Sequence, residues 1–340
     1  MEYKIGTDAR CAVIGYGSWA TAIVGLLAAN GRRVGWYVRN PEVLESLCSD
    51  GRNPRYLNDL EFDRNSIAPS SDLDAVVRDA DIVILATPSA YLKDFLAPLT
   101  VPLRDKFVVS AIKGIVPGDY QTVVEYIHDH YGLSYRQIGL VTGPSHAEEV
   151  SRRMFAATVV ASSNETCAEY FQDLFMAPTF RVYTSRDVIG VELCAAAKNI
   201  IAIANGMCVS MGLGDNASAA LITRGLAEIT RLVVALGGDS RTCQGLAGMG
   251  DLIATCTSPH SRNRSLGELL VQGGTLEEYE AKTHMVAEGA VACKTVTDLA
   301  RKHHVEMPLS ELVRQVLWEG ADPHDAAQTL FSRPKKSETE

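Results

Sequence analysis

One lysine, Lys198, interrupts an otherwise apolar face of a helix predicted over residues 188–207. The residues spaced three or four apart on that face are Val191, Cys194, Ala195, Lys198, Ile201, Ala202 and Asn205. A lysine at the edge of such a face can extend its ammonium group to solvent. A partly desolvated lysine instead has a pKa that falls from about 10.4 towards neutrality, and it can then donate or accept a proton. The face alone leaves both interpretations open.

A glycine-rich turn follows the first apolar run of the chain. Residues 15–20 fit the pattern G-x-G-x-x-G/A, and they lie between a predicted strand and a predicted helix. Small residues in this pattern let the backbone approach a pyrophosphate, which the N–H groups at the helix start then bind. The turn therefore predicts a dinucleotide site at Gly15 and Gly17.

The second predicted strand, residues 34–38, is followed by Arg39 and Asn40. Proteins that bind NAD usually carry a carboxylate near this point for the ribose hydroxyls, whereas an arginine accommodates the 2′-phosphate of NADP. A solvent-exposed arginine at a strand end is the simpler alternative. We expect NADPH or NADP to be the preferred cofactor, with NADH or NAD as a possible one.

Six further blocks of polar and small residues follow the glycine turn. They are S-A-I-K-G at 110–114, G-P-S-x-A at 143–147, A-K-N at 197–199, G-D-L at 250–252, S-R-N at 261–263 and V-A-E-G at 286–289. Together with the turn, these blocks resemble those of the NAD(P)-dependent glycerol-3-phosphate dehydrogenase family, in its soluble, bacterial type. The resemblance covers nearly the whole chain. The resemblance implies the reversible, NAD(P)H-dependent reduction of dihydroxyacetone phosphate to sn-glycerol 3-phosphate, which supplies phospholipid synthesis.

The resemblance also implies roles for individual residues. Lys198 would donate the proton, Lys113 would lie beside substrate and nicotinamide, and Asp251 would orient Lys198; these are the expected catalytic residues. The expected substrate-binding residues are Lys113, Gly143, Ser145, Lys198, Asp251, Thr255, Ser261, Arg262 and Asn263. The expected cofactor-binding residues are Gly15, Gly17, Ser18, Trp19, Arg39, Lys113, Ala147, Arg262, Val286 and Glu288. No metal is expected.

Some of these residues also have simpler structural interpretations. Asp251 could cap the helix that begins after Gly250, in addition to its chemical role. The segment 261–264 could be a polar surface loop, and Glu288 could be a solvated helix residue. His146, beside the G-P-S block, is expected to line the pocket or to cap a helix rather than to catalyse.

Two other functions compete with the one that the resemblance implies. The nearer is another two-domain hydroxy-acid dehydrogenase, similar to ketopantoate reductase or phosphogluconate dehydrogenase, which would share the glycine turn and the helix lysine. The blocks at 250–251 and 261–263 favour a small phosphorylated polyol instead. A nonenzymatic dinucleotide sensor would have no need for Lys113, Lys198 and Asp251 together.

The elements that must position these residues fall into two groups. Short apolar runs at 11–15, 34–38, 81–86, 107–111 and 138–141 indicate buried parallel strands, and runs at 156–161 and 180–183 extend the sheet or pair at its edge. Helical periods follow, including 266–272, 287–302 and 309–318. We expect an α/β fold with a doubly wound, Rossmann-type domain at 1–187, an all-helical substrate and catalytic domain at 188–334, and a loose tail at 335–340.

Composition limits the class of protein. The 340 residues are 46% hydrophobic and carry a net charge of −9, which fits two packed domains and disfavours binding to nucleic acid. The longest weakly polar run, residues 200–213, is too short to cross a bilayer. The eight cysteines are dispersed without a CxxC pair, as in reduced cytosolic proteins. We expect a cytoplasmic enzyme that acts on a small phosphorylated substrate without membrane insertion, and a homodimer is its candidate assembly.

Overall fold

The structure is a computed structural model that describes residues 5–6, 8–118, 120–283, 286–335 and 337–338. Residues 1–4, 7 and 119 of the predicted first domain, 284 and 285 of the predicted second domain, and 336, 339 and 340 of the predicted tail lie outside the described residues. The looseness of the tail therefore stays a prediction.

Within the described residues, one eight-stranded sheet has the strand order β10-β9-β8-β5-β4-β1-β2-β3, and β6 and β7 form a separate hairpin. The strands are β1 Cys11–Ile14, β2 Val34–Tyr37, β3 Ile67–Ser70, β4 Ile82–Leu85, β5 Phe107–Ser110, β6 Ile115–Val116, β7 Gln121–Thr122, β8 Ile138–Thr142, β9 Ala156–Ser162 and β10 Phe180–Ser185. Every pair of neighbours in the large sheet is parallel except β8 and β9, which are antiparallel.

Helices connect these strands and make up the second half of the chain. The first half contains α1 Ser18–Ala29, α2 Pro41–Ser49, α3 Leu73–Arg78, α4 Leu92–Leu96, α5 Val123–Tyr131, α6 Ala147–Ser151 and α7 Glu165–Phe175. The second half contains α8 Val188–Ser210, α9 Gly214–Ala235, α10 Ser240–Cys243, α11 Asp251–Thr257, α12 Arg262–Val271, α13 Leu276–Thr283, α14 Glu288–Lys302, α15 Pro308–Trp318 and α16 Pro323–Phe331. The predicted class, a doubly wound α/β domain followed by helices, is confirmed. The domain boundary after residue 187 stays a prediction.

The central strands form because their residues are apolar on both faces. All side chains of β1, β4, β5 and β8 are buried, as expected for parallel strands covered by helices on both sides. Their parallel alignment brings their carboxyl ends to one edge. The sheet order reverses between β1 and β4, and the loops at such a point form the usual ligand crevice of open α/β sheets.

The strand β3 and the β6–β7 hairpin were not among the predicted strands. β3 lies at the edge of the sheet, contains Pro69, and has only Ile67 buried. Edge strands tolerate proline because one side of their backbone needs no partner strand. A strand of this kind lacks the continuous apolar run that reveals a central strand.

Helix α8 is the core of the second half. Every residue from Gly190 to Cys208 is buried. Among the described residues it is the one helix long and apolar enough to cross a membrane by length and composition, but 89% of its most apolar stretch is buried inside the protein. Its composition therefore reflects helix packing on all sides.

Two glycines let α8 and α12 approach each other at backbone distance. A Cβ on Gly206 would lie 2.0 Å from the carbonyl oxygen of Arg264, and a Cβ on Gly267 would lie 2.1 Å from that of Ile203. Real side chains do not approach backbone so closely, so neither position accepts even alanine without moving a helix. This crossing places the first turn of α12 beside the middle of α8.

We predict that Gly267→Ala destabilises the protein by about 2 kcal/mol, because overpacking against the Ile203 backbone outweighs the gain of about 1 kcal/mol in helix propensity. The unfolding midpoint in urea measures the change. Ser265→Ala, on the same helix, is the matched control and should leave the midpoint nearly unchanged. An equal midpoint for Gly267→Ala and the wild type would mean that the crossing is not tight.

Candidate active site

A cleft of about 610 Å³ opens at the carboxyl edge of the sheet, between the glycine turn and α8. The predicted site residues that line it are Gly15, Gly17, Ser18, Trp19, Arg39, Lys113, Ser145, Ala147, Lys198, Asp251, Thr255, Ser261, Arg262, Asn263, Val286 and Glu288. Gly143 lies behind Lys113, whose ammonium donates a hydrogen bond to the Gly143 carbonyl at 3.0 Å. The predicted residues therefore lie in or next to one cleft, and their roles stay predictions.

A second cavity, of about 530 Å³, lies among α8, α9, α15 and α16. Its walls are mainly apolar side chains such as Met207, Leu221 and Phe331. None of the predicted site residues lines it. The cleft at the sheet edge is therefore the candidate active site, since only there do titratable groups converge with the glycine turn.

Asp251 lies between two lysine ammonium groups at the floor of the cleft. Its Oδ1 is 2.8 Å from Nζ of Lys198, and its Oδ2 is 3.1 Å from Nζ of Lys113. Lys198 also donates to Oγ1 of Thr255 at 2.6 Å, and that hydroxyl donates to the backbone carbonyl of Asp251. An ammonium has three donors, and these contacts of Lys198 use two of them.

Burial sets the protonation behaviour of this cluster. The side chains of Lys198 and Asp251 are 4% and 3% exposed. Desolvation, together with the positive charge of Lys113, outweighs the stabilising charge of Asp251 and lowers the pKa of Lys198 to about 8. Burial works against ionisation of Asp251, but Lys113 and Lys198 together overcome it and hold its pKa below the usual value. Lys198 can therefore exchange a proton near neutral pH while Asp251 remains a carboxylate.

The glycine turn has the shape that a dinucleotide requires. Gly15 has a φ of +125°, and a Cβ there would lie 2.4 Å from the carbonyl oxygen of Ala86, so glycine is needed. Two residues that line this end of the cleft, Trp19 and Thr87, each carry a buried polar atom, Nε1 and Oγ1, without a hydrogen-bond partner in the described part of the chain. Such groups are rare in folded proteins. The residues present fit a polar ligand held against the turn.

Arg39 extends over the same end of the cleft. Its guanidinium carbon lies 4.2 Å from the centroid of the Phe95 ring, a cation–π arrangement that holds the side chain over the opening. Arg39 is also exposed at the end of its strand, as in the alternative of a solvent-exposed arginine, so its contact with a cofactor stays a prediction.

The S-R-N segment forms the start of α12, so the alternative of a polar surface loop was wrong. Ser261 is the N-cap, and its hydroxyl accepts from the Arg264 backbone N–H. Arg262 is the first helical residue and lines the cleft. The buried Asn263 accepts from the Gly289 backbone N–H at 2.8 Å, and so ties α12 to the start of α14.

Asn199 is a residue of the cleft that the sequence analysis missed. Its Nδ2 donates to the Lys113 carbonyl at 3.0 Å, and its Oδ1 accepts from Nδ2 of Asn263. It thereby joins α8, the loop after β5 and α12. Its place within the A-K-N block, directly after Lys198, was the signal that could have identified it.

Two further expectations are settled by contacts across the cleft. Glu288 is not a solvated helix residue: its carboxylate accepts from the backbone N–H of Ser89 at 3.2 Å and from the Ser89 hydroxyl at 2.8 Å, and burial raises its pKa. Asp251 does not cap α11. The N-cap of that helix is Gly250, which makes no side-chain capping bond, and both carboxylate oxygens of Asp251 contact the lysines instead.

His146 lines the cleft, and its Nε2 lies 3.3 Å from the Ala254 carbonyl oxygen. Burial lowers its pKa, and the positive charges of Lys113 and Lys198 act in the same direction. A neutral imidazole beside this cluster adds no charge to it.

Comparison with known proteins gives consistent matches over nearly the whole chain. Residues 10–168 match the family model of the NAD-dependent glycerol-3-phosphate dehydrogenase N-terminus, and residues 187–328 match that of the C-terminus. A protein of Salinibacter ruber, named glycerol-3-phosphate dehydrogenase of the NAD(P)+ type, is 46% identical over 96% of this chain and 95% of its own length. A similarly named protein of Moorella thermoacetica is 44% identical over 97% of both chains. The crystal structure of glycerol-3-phosphate dehydrogenase from Coxiella burnetii superimposes with a TM-score of 0.89 at 35% identity, over 96% of this chain and 99% of that one.

We predict that Asp251→Asn lowers the pKa of Lys198 below its value of about 8, because Asp251 is the main group that offsets the desolvation that disfavours the ammonium. The titration of the lysine ¹³Cε signals by NMR measures this, with the Lys198 signal assigned by its loss in Lys198→Arg. Asp215→Asn, at an exposed position, is the control. An unchanged or higher pKa would show that Asp251 does not set the charge of Lys198.

Proposed function

The chain belongs to the NAD-dependent glycerol-3-phosphate dehydrogenase family, and we propose that Lys198 is the acid and base of its reaction. That reaction is the NAD(P)H-dependent, reversible reduction of dihydroxyacetone phosphate to sn-glycerol 3-phosphate. The observation that carries the proposal is the buried contact of Lys198 with Asp251 and Thr255 in the cleft beside the glycine turn. A ketone reductase needs a proton donor at such a place.

The lysine cluster provides the charge that the reduction requires. Lys198 donates a proton from Nζ to the carbonyl oxygen of dihydroxyacetone phosphate, which becomes the C2 hydroxyl. Asp251 and Thr255 hold that ammonium in place through two of its three donors. Lys113, itself held by Asp251 and the Gly143 carbonyl, adds positive charge that stabilises the developing alkoxide. In the oxidation, neutral Lys198 accepts the hydroxyl proton.

The phosphate of the substrate is assigned to the start of α12. Arg262 is the first residue of this ten-residue helix, whose N-terminal N–H groups carry partial positive charge. A guanidinium can bind phosphate through two parallel hydrogen bonds. We assign Ser261 and Asn263 to the same end of the site, with Asn263 acting mainly to position α12 against α14. Ser145, whose hydroxyl donates to the Gly143 carbonyl, completes the substrate side.

The cofactor is assigned to the end of the cleft formed by the glycine turn, with Gly15, Gly17, Ser18 and Trp19 at the pyrophosphate and Arg39 at the adenosine 2′-phosphate. Lys113, Ala147, Arg262, Val286 and Glu288 would hold the nicotinamide end. A bound nicotinamide supplies the hydride that the carbonyl carbon of the substrate accepts. Relatives of this chain are named for NAD(P)+, which agrees with NADPH as the preferred cofactor and NADH as a possible one.

The alternative of a ketopantoate reductase-like or phosphogluconate dehydrogenase-like enzyme is not favoured, because the relatives at 44–46% identity are named glycerol-3-phosphate dehydrogenases. A cytoplasmic location and a homodimer stay proposals. The eight cysteines are free thiols, which supports a reducing compartment. Exposed apolar side chains in the helical half, such as Val234 and Phe331, support self-association.

The proposal predicts that the purified protein oxidises NADPH when dihydroxyacetone phosphate is added, and that Lys198→Ala lowers kcat about a thousandfold, as for loss of a general acid. The absorbance of the reduced nicotinamide measures turnover. Cofactor affinity should stay near that of the wild type, and Lys302→Ala, at an exposed position, should remain fully active. Retained turnover in Lys198→Ala would remove this residue from the mechanism.

The two directions of the reaction should depend oppositely on pH. The reduction needs the Lys198 ammonium, whose population falls as pH rises through its pKa of about 8, so kcat should fall there. The oxidation needs the neutral amine, so its kcat should rise over the same interval. Initial rates in both directions across this pH range test the assignment; a shared direction of change would contradict it.

Arg39→Asp should shift cofactor preference from NADPH towards NADH by about tenfold or more, because the 2′-phosphate would lose a charged hydrogen-bond donor and meet a carboxylate. The ratio of kcat/KM for the two cofactors is the measurement. Arg33→Asp makes the same charge change at an exposed position before the amino end of β2 and serves as the control. An unchanged ratio would mean that Arg39 does not contact the cofactor.

A further inference from the structure

One buried side chain, Asn53, ties the loop after α2 to the glycine turn. Its Nδ2 donates to the Tyr16 carbonyl and to the Thr21 hydroxyl, both at 2.9 Å. Its Oδ1 accepts from the backbone N–H groups of Arg55 and Tyr56, at 3.1 and 3.2 Å. Asn53 is fully buried, and its amide makes four hydrogen bonds. The loop therefore cannot move without breaking contacts of the glycine turn itself.

The base of this loop is closed by a second set of contacts. Arg52 and Glu61 pair across it as an isolated antiparallel bridge, and their side chains form an ion pair at 2.6 Å. Leu57, just beyond the Asn53 contacts, has a φ of +52°, a left-handed conformation that non-glycine residues adopt only where the surroundings impose it. The loop is thus a defined wall of the cleft.

Arg55 projects from this wall into the cleft that Arg39 also lines. Its Nε and Nη2 donate to one carboxylate oxygen of Glu42, at 2.9 and 2.5 Å. Glu42 lies three residues after Arg39, in the first turn of α2. The pair is open to solvent, with side chains that are 51% and 61% exposed. An ion pair at such exposure contributes little stability and can be exchanged for another anion.

We propose that Arg55 is a second residue that determines the preference for a 2′-phosphorylated dinucleotide, and that Glu42 competes with the 2′-phosphate for its guanidinium. A phosphate monoester carries nearly two negative charges near neutral pH and matches the planar guanidinium fork, so it outcompetes a solvated carboxylate. With NADH, which has only a hydroxyl there, Arg55 stays paired with Glu42. The inference rests on the proposed assignment of the cofactor to the glycine turn.

The competition predicts opposite effects for the two partners. Arg55→Ala should weaken binding of adenosine 2′,5′-bisphosphate about tenfold, as for loss of a hydrogen bond to a charged group, and leave adenosine 5′-monophosphate unaffected. Glu42→Gln should strengthen binding of the bisphosphate several-fold without changing that of the monophosphate. If the ion pair has no role in ligand binding, neither substitution should change the affinity for either nucleotide.

Titration calorimetry with these two nucleotides on the full-length protein is the test, with thermal unfolding to confirm that each variant is folded. Arg33→Ala, which removes an exposed arginine before the amino end of β2 and outside this loop, is the control and should leave both affinities unchanged. Arg55→Lys keeps the charge without the fork and should give an intermediate loss. The ratio of kcat/KM for NADPH and NADH should follow the bisphosphate affinities.

Equal weakening of both nucleotides by Arg55→Ala, no effect on either, or no gain in Glu42→Gln would overturn the inference. The outcome is separate from that of the proposed reaction. If dihydroxyacetone phosphate is not reduced but the nucleotide affinities change as described, the assignment of Arg55 stands and the proposed substrate fails. If dihydroxyacetone phosphate is reduced and the nucleotide affinities do not change, the proposed reaction stands and the assignment of Arg55 fails.

Discussion

The arrangement of the cleft depends on one carboxylate, that of Asp251, which is buried between two lysines. Moving charges out of water costs several kcal/mol per ion unless partners compensate for the lost hydration. Asp251 provides this compensation for Lys198 and Lys113 at once, at 2.8 and 3.1 Å. Three segments that are far apart in the chain, namely the loop after β5, α8 and α11, must therefore meet at this point. The cluster retains a net positive charge, which suits an anionic substrate and a developing alkoxide.

Close helix contacts hold the rest of the cleft around this cluster. Gly206 and Gly267 let α12 cross α8 at backbone distance, and a Cβ on Gly289 would lie 2.5 Å from the Asn199 carbonyl oxygen. These contacts bring the first turns of α12 and α14, with Arg262 and Glu288, to the middle of α8. Because the approach is made by backbone rather than by long side chains, few alternative arrangements are available to the site.

Two more buried carboxylates connect helices by the same electrostatic principle. Glu192 on α8 accepts from the Val124 backbone N–H at the start of α5, and Glu228 on α9 accepts from the Leu309 and Ser310 backbone N–H groups at the start of α15. Burial raises the pKa of each to about 7, although the hydrogen bonds oppose this shift. Each carboxylate binds donors that a helix start leaves without intrahelical partners. Polar contacts therefore join α8 to a helix of the first half, and α9 to α15 within the second half, in addition to the apolar core.

The sequence by itself determined the local patterns: buried strands, the glycine turn, the amphipathic helices and the anomalous Lys198. These follow from periodicity and from residue types that act within a few positions of the chain. The resemblance carried by the ordered blocks also predicted the family, and nearly all the site residues that it implied line the cleft. Only the tertiary structure decided which oxygens Lys198 contacts, that Asn199 and Asn53 tie separate segments together, and that β3 completes the sheet edge. Those contacts join residues tens of positions apart, and their distances follow from how helices and strands pack, which local spacing does not encode.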